Sequence, residues 1–133
     1  MTAAVLADTG PLYALADPSD QYHRRAQTEL EAIVAKDLRI AVGYPVLCES
    51  HTLVLRRLGG GYSRRWLAEM LEGAAMVNSE PTDYLAAASI LDRLPDQPIT
   101  LADAVLSRRL RMPVWSFDRH FTVIGTTQWR PSR

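Results

Sequence analysis

Cysteine is nearly absent: Cys48 stands alone in 133 residues. An intrachain disulfide is therefore impossible, and a cysteine-rich metal site is excluded. Lysine is as scarce, for Lys36 is the only one and the rest of the 15 basic residues are arginine. A mechanism that needs a phosphate-binding or Schiff-base lysine has only Lys36 to draw on, in a helical, surface-looking stretch. Net charge is missing too, since 15 basic and 15 acidic residues cancel. That balance argues against a surface built as a whole to hold nucleic acid, but it leaves room for a local basic strip. The longest apolar runs, such as residues 3–7, are far too short to cross a bilayer. Met1-Thr2-Ala3-Ala4 places no basic region ahead of an apolar segment, so no secretory signal is expected. The expected compartment is a reducing cytoplasm.

What is present is the balance of a globular domain, with 47% hydrophobic and 23% charged residues in a length suited to one core. Val5-Leu6-Ala7 reads as a strand that stops at Asp8-Thr9-Gly10-Pro11, and Pro11 sits where a helix can begin. Residues 21–36 carry Tyr22, Ala26, Leu30, Ile33 and Val34 at helical spacing. Residues 38–42 read as a second strand, and Pro45 opens a helix that Gly59-Gly60-Gly61 ends. Ser63 is placed to cap the helix after it, and residues 75–78 suit a third strand. Pro81 opens a helix with Leu85, Ala88, Ile90 and Leu91 as its apolar positions. A further helix begins near Thr100, Pro113-Val114-Trp115 is a strand, and residues 122–124 suit a last short one. Strands alternating with helices across short loops predict an α/β domain, with a mainly parallel central β-sheet flanked by helices.

In an open parallel sheet, functional residues collect at the carboxyl ends of the strands. Asp8 and Asp118 each follow an apolar run, and Asp103 falls in the first turn of a helix. Three acids far apart in the chain could thus meet at one sheet edge. Grouped carboxylates repel and raise one another's pKa unless a cation lies between them, and oxygen ligands alone favour Mg²⁺ or Mn²⁺. Each acid also has a plainer reading. Asp8 suits an Asx-turn, Asp103 the negative end preferred at a helix N-terminus, and Asp118 a cap for residues 119–121. Glu49 lies about 200° from Leu47 on a helical wheel, which by periodicity makes it a solvated residue.

The string Val5-Leu6-Ala7-Asp8-Thr9-Gly10-Pro11-Leu12-Tyr13-Ala14-Leu15 resembles the opening of PIN-domain proteins. Val46-Leu47-Cys48-Glu49, Thr100-Leu101-Ala102-Asp103-Ala104 and Val114-Trp115-Ser116-Phe117-Asp118-Arg119-His120-Phe121 resemble that family's other acidic motifs, in the same order. The four together cover nearly the whole chain, whose length suits the compact VapC-type toxins of bacterial type II toxin–antitoxin pairs. Ser116 stands where the family more often has threonine, which keeps the hydroxyl. Arg108, Arg109 and Arg111 make the helix after Asp103 more basic than the small, apolar run expected there.

The resemblance implies a single PIN-like domain over residues 1–133 and a Mg²⁺- or Mn²⁺-dependent endoribonuclease, with Asp8, Glu49, Asp103 and Asp118 as the catalytic, metal-holding acids. Thr9 and Ser116 are then candidates to fix aspartate rotamers by hydrogen bonds. The implied partners are an RNA substrate, a cognate antitoxin protein and a second copy of the chain in a homodimer; no membrane is implied. Two other readings compete. A haloacid-dehalogenase-like phosphatase wants a second acid where Gly10 stands, and the lack of a convincing catalytic lysine counts against both it and a receiver domain. A PIN-like module that binds RNA or a partner without cutting wants a missing acid, and none is missing.

The remaining features are weaker. Cys48 suits a small core residue, and among the dispersed His23, His51 and His120 only His120 has a place near an acid. Arg56-Arg57 and Arg64-Arg65 flank the triple glycine with Tyr62 and Trp66 interleaved, a mixture suited to single-stranded RNA and equally to a solvated helix end over a core tryptophan. Replacing Arg64 and Arg65 together by alanine is expected to weaken RNA binding without moving the cut. The log–log salt slope should fall by about 0.7 per lost phosphate contact. A slope equal to that of the unaltered chain returns both to solvated surface.

Overall fold

The short apolar strands read from the sequence lie side by side in a four-stranded sheet in which every pairing is parallel. The structure, a computed structural model, describes residues 3–109, 112–118 and 127–132. The expected strand at 122–124, and His120, lie outside the described residues. The strands are β1 (Ala4–Ala7), β2 (Arg39–Gly43), β3 (Ala75–Val77) and β4 (Val114–Trp115), in the order β3-β2-β1-β4. Register is set by Val5 opposite Ile40 and by Leu6 opposite Val114. Val5, Leu6, Ala41, Val42, Val114 and Trp115 are all buried, as strands covered on both faces must be.

Six described helices supply the covering: α1 (Thr9–Ala16), α2 (His23–Ala35), α3 (Tyr44–Leu58), α4 (Gly60–Gly73), α5 (Pro81–Arg93) and α6 (Leu101–Arg109). Among the described residues no helix is long and apolar enough to cross a membrane. Helix α1 is enclosed on most sides, and its Leu12, Tyr13, Ala14 and Ala16 join the main core. Helices α5 and α6 pack on each other around a second, smaller cluster of Ala87, Ile99, Ala104 and Val105.

Several faces differ from those expected. The inner face of α2 is Ala26, Glu29 and Ile33, so a buried acid takes a position that periodicity reserves for an apolar residue, and Val34, 100° further round, is exposed. Glu29 is stabilised there by two bonds, from Arg25 Nε to Oε1 and from Trp115 Nε1 to Oε2, each 3.2 Å. In α5 the buried residue is Ala87, while Leu85 and Ala88 face out. The small side chain lets α6 approach closely, and the larger leucine is left outside. Cys48 is exposed, because α3 buries Leu47, Ser50 and Val54 and turns its neighbour outward.

The triple glycine separates two helices with almost no loop. Gly59 has φ +91°, a conformation that side chains disfavour, and its N–H closes α3 on the Leu55 carbonyl. One such residue is enough to break the helix, so α4 restarts at Gly60. Ser63 is consequently not a cap. It is buried inside α4, and its Oγ donates to the Gly60 carbonyl.

Leu6 and Leu85 separate these two kinds of position. Leu6→Ala is expected to lower unfolding free energy by about 2–5 kcal/mol, and Leu85→Ala to change it by about 0.5 kcal/mol or less. Urea denaturation of both variants measures the contrast.

Candidate active site

The chain leaves β1 for β2 and β3 on one side, then returns to place β4 on the other side of β1. Such a reversal of strand order opens a crevice at the carboxyl ends of the two strands concerned, and ligands bind there in open α/β sheets. Asp8 follows β1 and Asp118 lies three residues past β4, so the crevice is flanked by acids. A cleft of about 680 Å³ opens at this place, and Asp8, Glu49, Asp103 and Asp118 all line it.

Each acid is brought in differently. Asp8 is buried at the N-cap position of α1, yet its side chain makes no cap bond. The Thr9 backbone bonds the Asp8 carboxyl, as the turn reading expects, but Oδ2 also accepts a 2.8 Å bond from Ser116 Oγ, and the Asp8 N–H donates to the Trp115 carbonyl. Ser116 Oγ in turn accepts from the Asp118 N–H at 2.9 Å. One serine therefore ties the first acid to the backbone of the last. Asp103 stands in the first turn of α6, where its N–H donates to Thr100 Oγ1 at 3.1 Å. Its dipole-favoured position and its place in the cleft are compatible, and it too is buried. Glu49 is exposed on α3, as its periodicity says, and the surface it occupies is the rim of the cleft. Asp118 is half-buried, and the helix it was read to cap lies outside the described residues.

Thr9 and Ser116 behave unlike each other. Ser116 is fully engaged, whereas Thr9 Oγ1 is buried in the cleft wall with no hydrogen-bond partner among the described residues. Two residues that the sequence does not single out hold the 116–118 segment. Gln128 Nε2 donates to the Asp118 carbonyl at 2.6 Å, and Arg130 Nη1 donates to the Ser116 carbonyl at 3.0 Å. No local signal marks them, since each acts on backbone more than nine positions away.

The arginines divide. Arg57 lines the cleft, with its guanidinium 4.9 Å from the centre of the Tyr13 ring. It is the one cation among the described lining residues. Arg64 and Arg65 are exposed on α4 and do not line the cleft. Arg65 borders a separate groove with Leu12, Leu15, Tyr62, Trp66 and Met70.

Burial pushes the Asp8 carboxyl up from the usual 3.8 to about 6. The charge of Asp103 adds to this and that of Glu49 adds less, while the bonds from Ser116 and from the Thr9 backbone oppose both. Asp103 is raised as well, chiefly by burial, with the Thr100 bonds opposing and the charges of Asp118 and Glu49 contributing. Repulsion is thus real but second to desolvation. An all-oxygen donor set whose ionised forms destabilise one another chemically suits a hard divalent cation. Among the described residues, however, no group of three or more His, Cys, Asp or Glu side chains stands in position to hold a metal ion. That arrangement still suits Mg²⁺, which keeps several waters and takes only one or two protein carboxylates.

Fold and cleft together define a class of architecture, the PIN fold, in which a parallel sheet presents acids at its switch point. The structural likenesses are specific. Mycobacterium tuberculosis VapC20, a toxin that cleaves the sarcin-ricin loop, matches with a TM-score of 0.82 and 22% identity, over 96% of this chain and 100% of its own. VapBC2 from Rickettsia felis, solved bound to a DNA fragment from its promoter, matches with a TM-score of 0.70 and 13% identity, over 94% of this chain and 96% of its own. PAE2754 from Pyrobaculum aerophilum matches with a TM-score of 0.57 and 17% identity, over 91% and 78% of the two chains. The sequence itself matches no family model, and no curated protein matches it significantly.

The raised Asp8 pKa has a consequence for stability. The folded state binds this proton more tightly than the unfolded chain does, so ionising Asp8 destabilises the fold as pH rises from about 4 to about 6. Asp8→Asn, which keeps an acceptor for Ser116, is expected to be the more stable protein at pH 7.5 in chelator. The difference should be on the order of 3 kcal/mol at most. It should vanish below pH 4. Thermal melts of both proteins across that range measure it, and a variant that melts lower throughout would show that Asp8 is not held against its ionisation.

Proposed function

We propose that the chain is a Mg²⁺- or Mn²⁺-dependent endoribonuclease, the toxin of a bacterial type II toxin–antitoxin pair. The observation that carries this reading is the convergence of Asp8, Glu49, Asp103 and Asp118 on one cleft at the switch point of a PIN-fold sheet. Likeness to VapC20 supports the class of reaction, and likeness to VapBC2 supports a partnership with an antitoxin.

Asp8 and Asp103, both buried and both raised in pKa, are the pair that would hold the ion, with Glu49 and Asp118 lining the same cleft to hold its waters. The chemistry that a bound Mg²⁺ or Mn²⁺ supplies to such a set is charge neutralisation, polarisation of the scissile phosphate and acidification of a water. The chain's own residues do the rest. Ser116 fixes the Asp8 carboxylate and the backbone that carries Asp118, so both acids meet the substrate preorganised. Thr9 offers a hydroxyl with no protein partner among the described residues, suited to a water or a phosphate oxygen. One of the carboxylates takes the proton of the attacking water. As the P–O3′ bond breaks, the leaving 3′ oxygen takes up a proton, so water is added across the bond. Arg57 is placed to meet a phosphate of the bound strand.

The antitoxin is proposed to lay apolar side chains into the groove between α1 and α4, lined by Leu12, Leu15, Ala16, Trp66 and Met70, and to present a basic residue to the acids. A toxin homodimer and a cytoplasmic setting belong to the same reading.

Asp8→Asn and Asp103→Asn are each expected to lower Mn²⁺-dependent RNA cleavage by ~10²-fold or more while leaving the fold intact. Gel assays of the purified variants, with circular dichroism as the control for folding, provide the test. Full activity in either would remove the acid cleft as the cutting site, and an inactive parent chain that still bound RNA would favour a non-cleaving module.

A further inference from the structure

Between α1 and α2 the chain turns through a segment that exposes a ring to the cleft. Ser19 N and Oγ both donate to Asp17 Oδ1, and the Tyr22 N–H donates to Asp20 Oδ1 at 2.8 Å. The His23 N–H then joins the Asp20 carbonyl as α2 begins. These bonds fix the backbone on both sides of Tyr22. Tyr22 is 43% exposed and lines the acid cleft, and its ring leans on Phe117 with centroids 5.3 Å apart at 45°. Phe117 is itself braced. The Arg25 guanidinium sits 4.4 Å from its centroid, and Gly10 lies so near that an added Cβ would be 3.5 Å from the Phe117 ring. Arg25 is tied in turn to buried Glu29. The exposed tyrosine is thus the outer member of a braced aromatic stack.

The charges of the cleft say what such a ring would receive. Asp8, Asp20, Glu49, Asp103 and Asp118 line it, against Arg57 as the one described cation. Beyond Arg57 the described lining offers no side-chain cation for a phosphate, and Asp20 beside Tyr22 disfavours an anion at that end. A base presents a neutral π-face, which stacks on an aromatic ring whatever the charge around it.

We propose that Tyr22, braced by Phe117 and Arg25, is the base-stacking wall of the cleft and takes a nucleobase beside the phosphate to be cut. The inference rests on the ribonuclease reading and deepens it, since it makes an unpaired, unstacked nucleotide the feature recognised at the cut. A preorganised ring loses little freedom on binding, so its contribution should appear in KM rather than in kcat.

The test uses a short single-stranded RNA that the purified chain cleaves in Mn²⁺, together with versions abasic at each position around the cut. Tyr22→Leu is expected to raise KM by roughly tenfold with kcat within about twofold, and Tyr22→Phe and Tyr22→Trp to behave as the parent. At one position, an abasic nucleotide should cost the parent chain the same factor and Tyr22→Leu nothing further. A parent-like KM in Tyr22→Leu, or losses that add at every position, overturns the proposal and leaves the ring to a protein partner. Phe117→Leu should give a smaller rise in KM, which keeps the test meaningful if Tyr22→Leu folds poorly. A parent chain that cleaves no RNA removes the ribonuclease reading itself, and this inference with it.

Discussion

The site depends on one parallel pairing. Leu6 opposite Val114 puts the end of β1 beside the end of β4, where the Asp8 N–H meets the Trp115 carbonyl and Ser116 Oγ meets the Asp8 carboxylate. A shift of one residue would turn Ser116 to the other face of the sheet and leave a buried carboxylate without its donor. The surrounding structure reinforces this pairing. Glu29 holds the Trp115 indole from α2, and Gln128 and Arg130 hold the carbonyls of residues 116 and 118.

Function and stability pull against each other at the same place. Burying Asp8 and Asp103 raises both carboxyl pKa values, chiefly by desolvation, so each is ionised at a cost to the fold. The core absorbs that cost through strands covered on both faces and through α1, most of whose residues are buried. The aromatic pair of Tyr22 and Phe117 adds an uncharged surface to a cleft otherwise lined mainly by acids.

Periodicity was a good guide to elements and a weaker one to faces. The helix from Pro81 to Arg93 runs as read, but its buried residue is Ala87 rather than Leu85, because close approach of α6 favours a small side chain. In α2, Glu29 occupies the inner face because Arg25 and Trp115 lie within reach, and Trp115 is 86 positions away along the chain. Glu49 shows the converse. Its wheel position correctly marks it as exposed, and exposure was compatible with lining a cleft whose other walls come from α1, the segment before α2, α6 and the residues that follow β4.

The sequence by itself determined the α/β class, the parallel sheet, the helix break at the triple glycine, and the order in which the acids come along the chain. These are local matters, set by side-chain periodicity and by backbone preferences within a few residues. Tertiary structure alone decided that β4 returns to the far side of β1, that Ser116 bonds Asp8 across 108 positions, and that Arg57 rather than Arg64 or Arg65 faces the acids. Strand order and side-chain meeting are properties of packing between distant segments, and the closure of those segments on one core leaves no mark in the residues beside them.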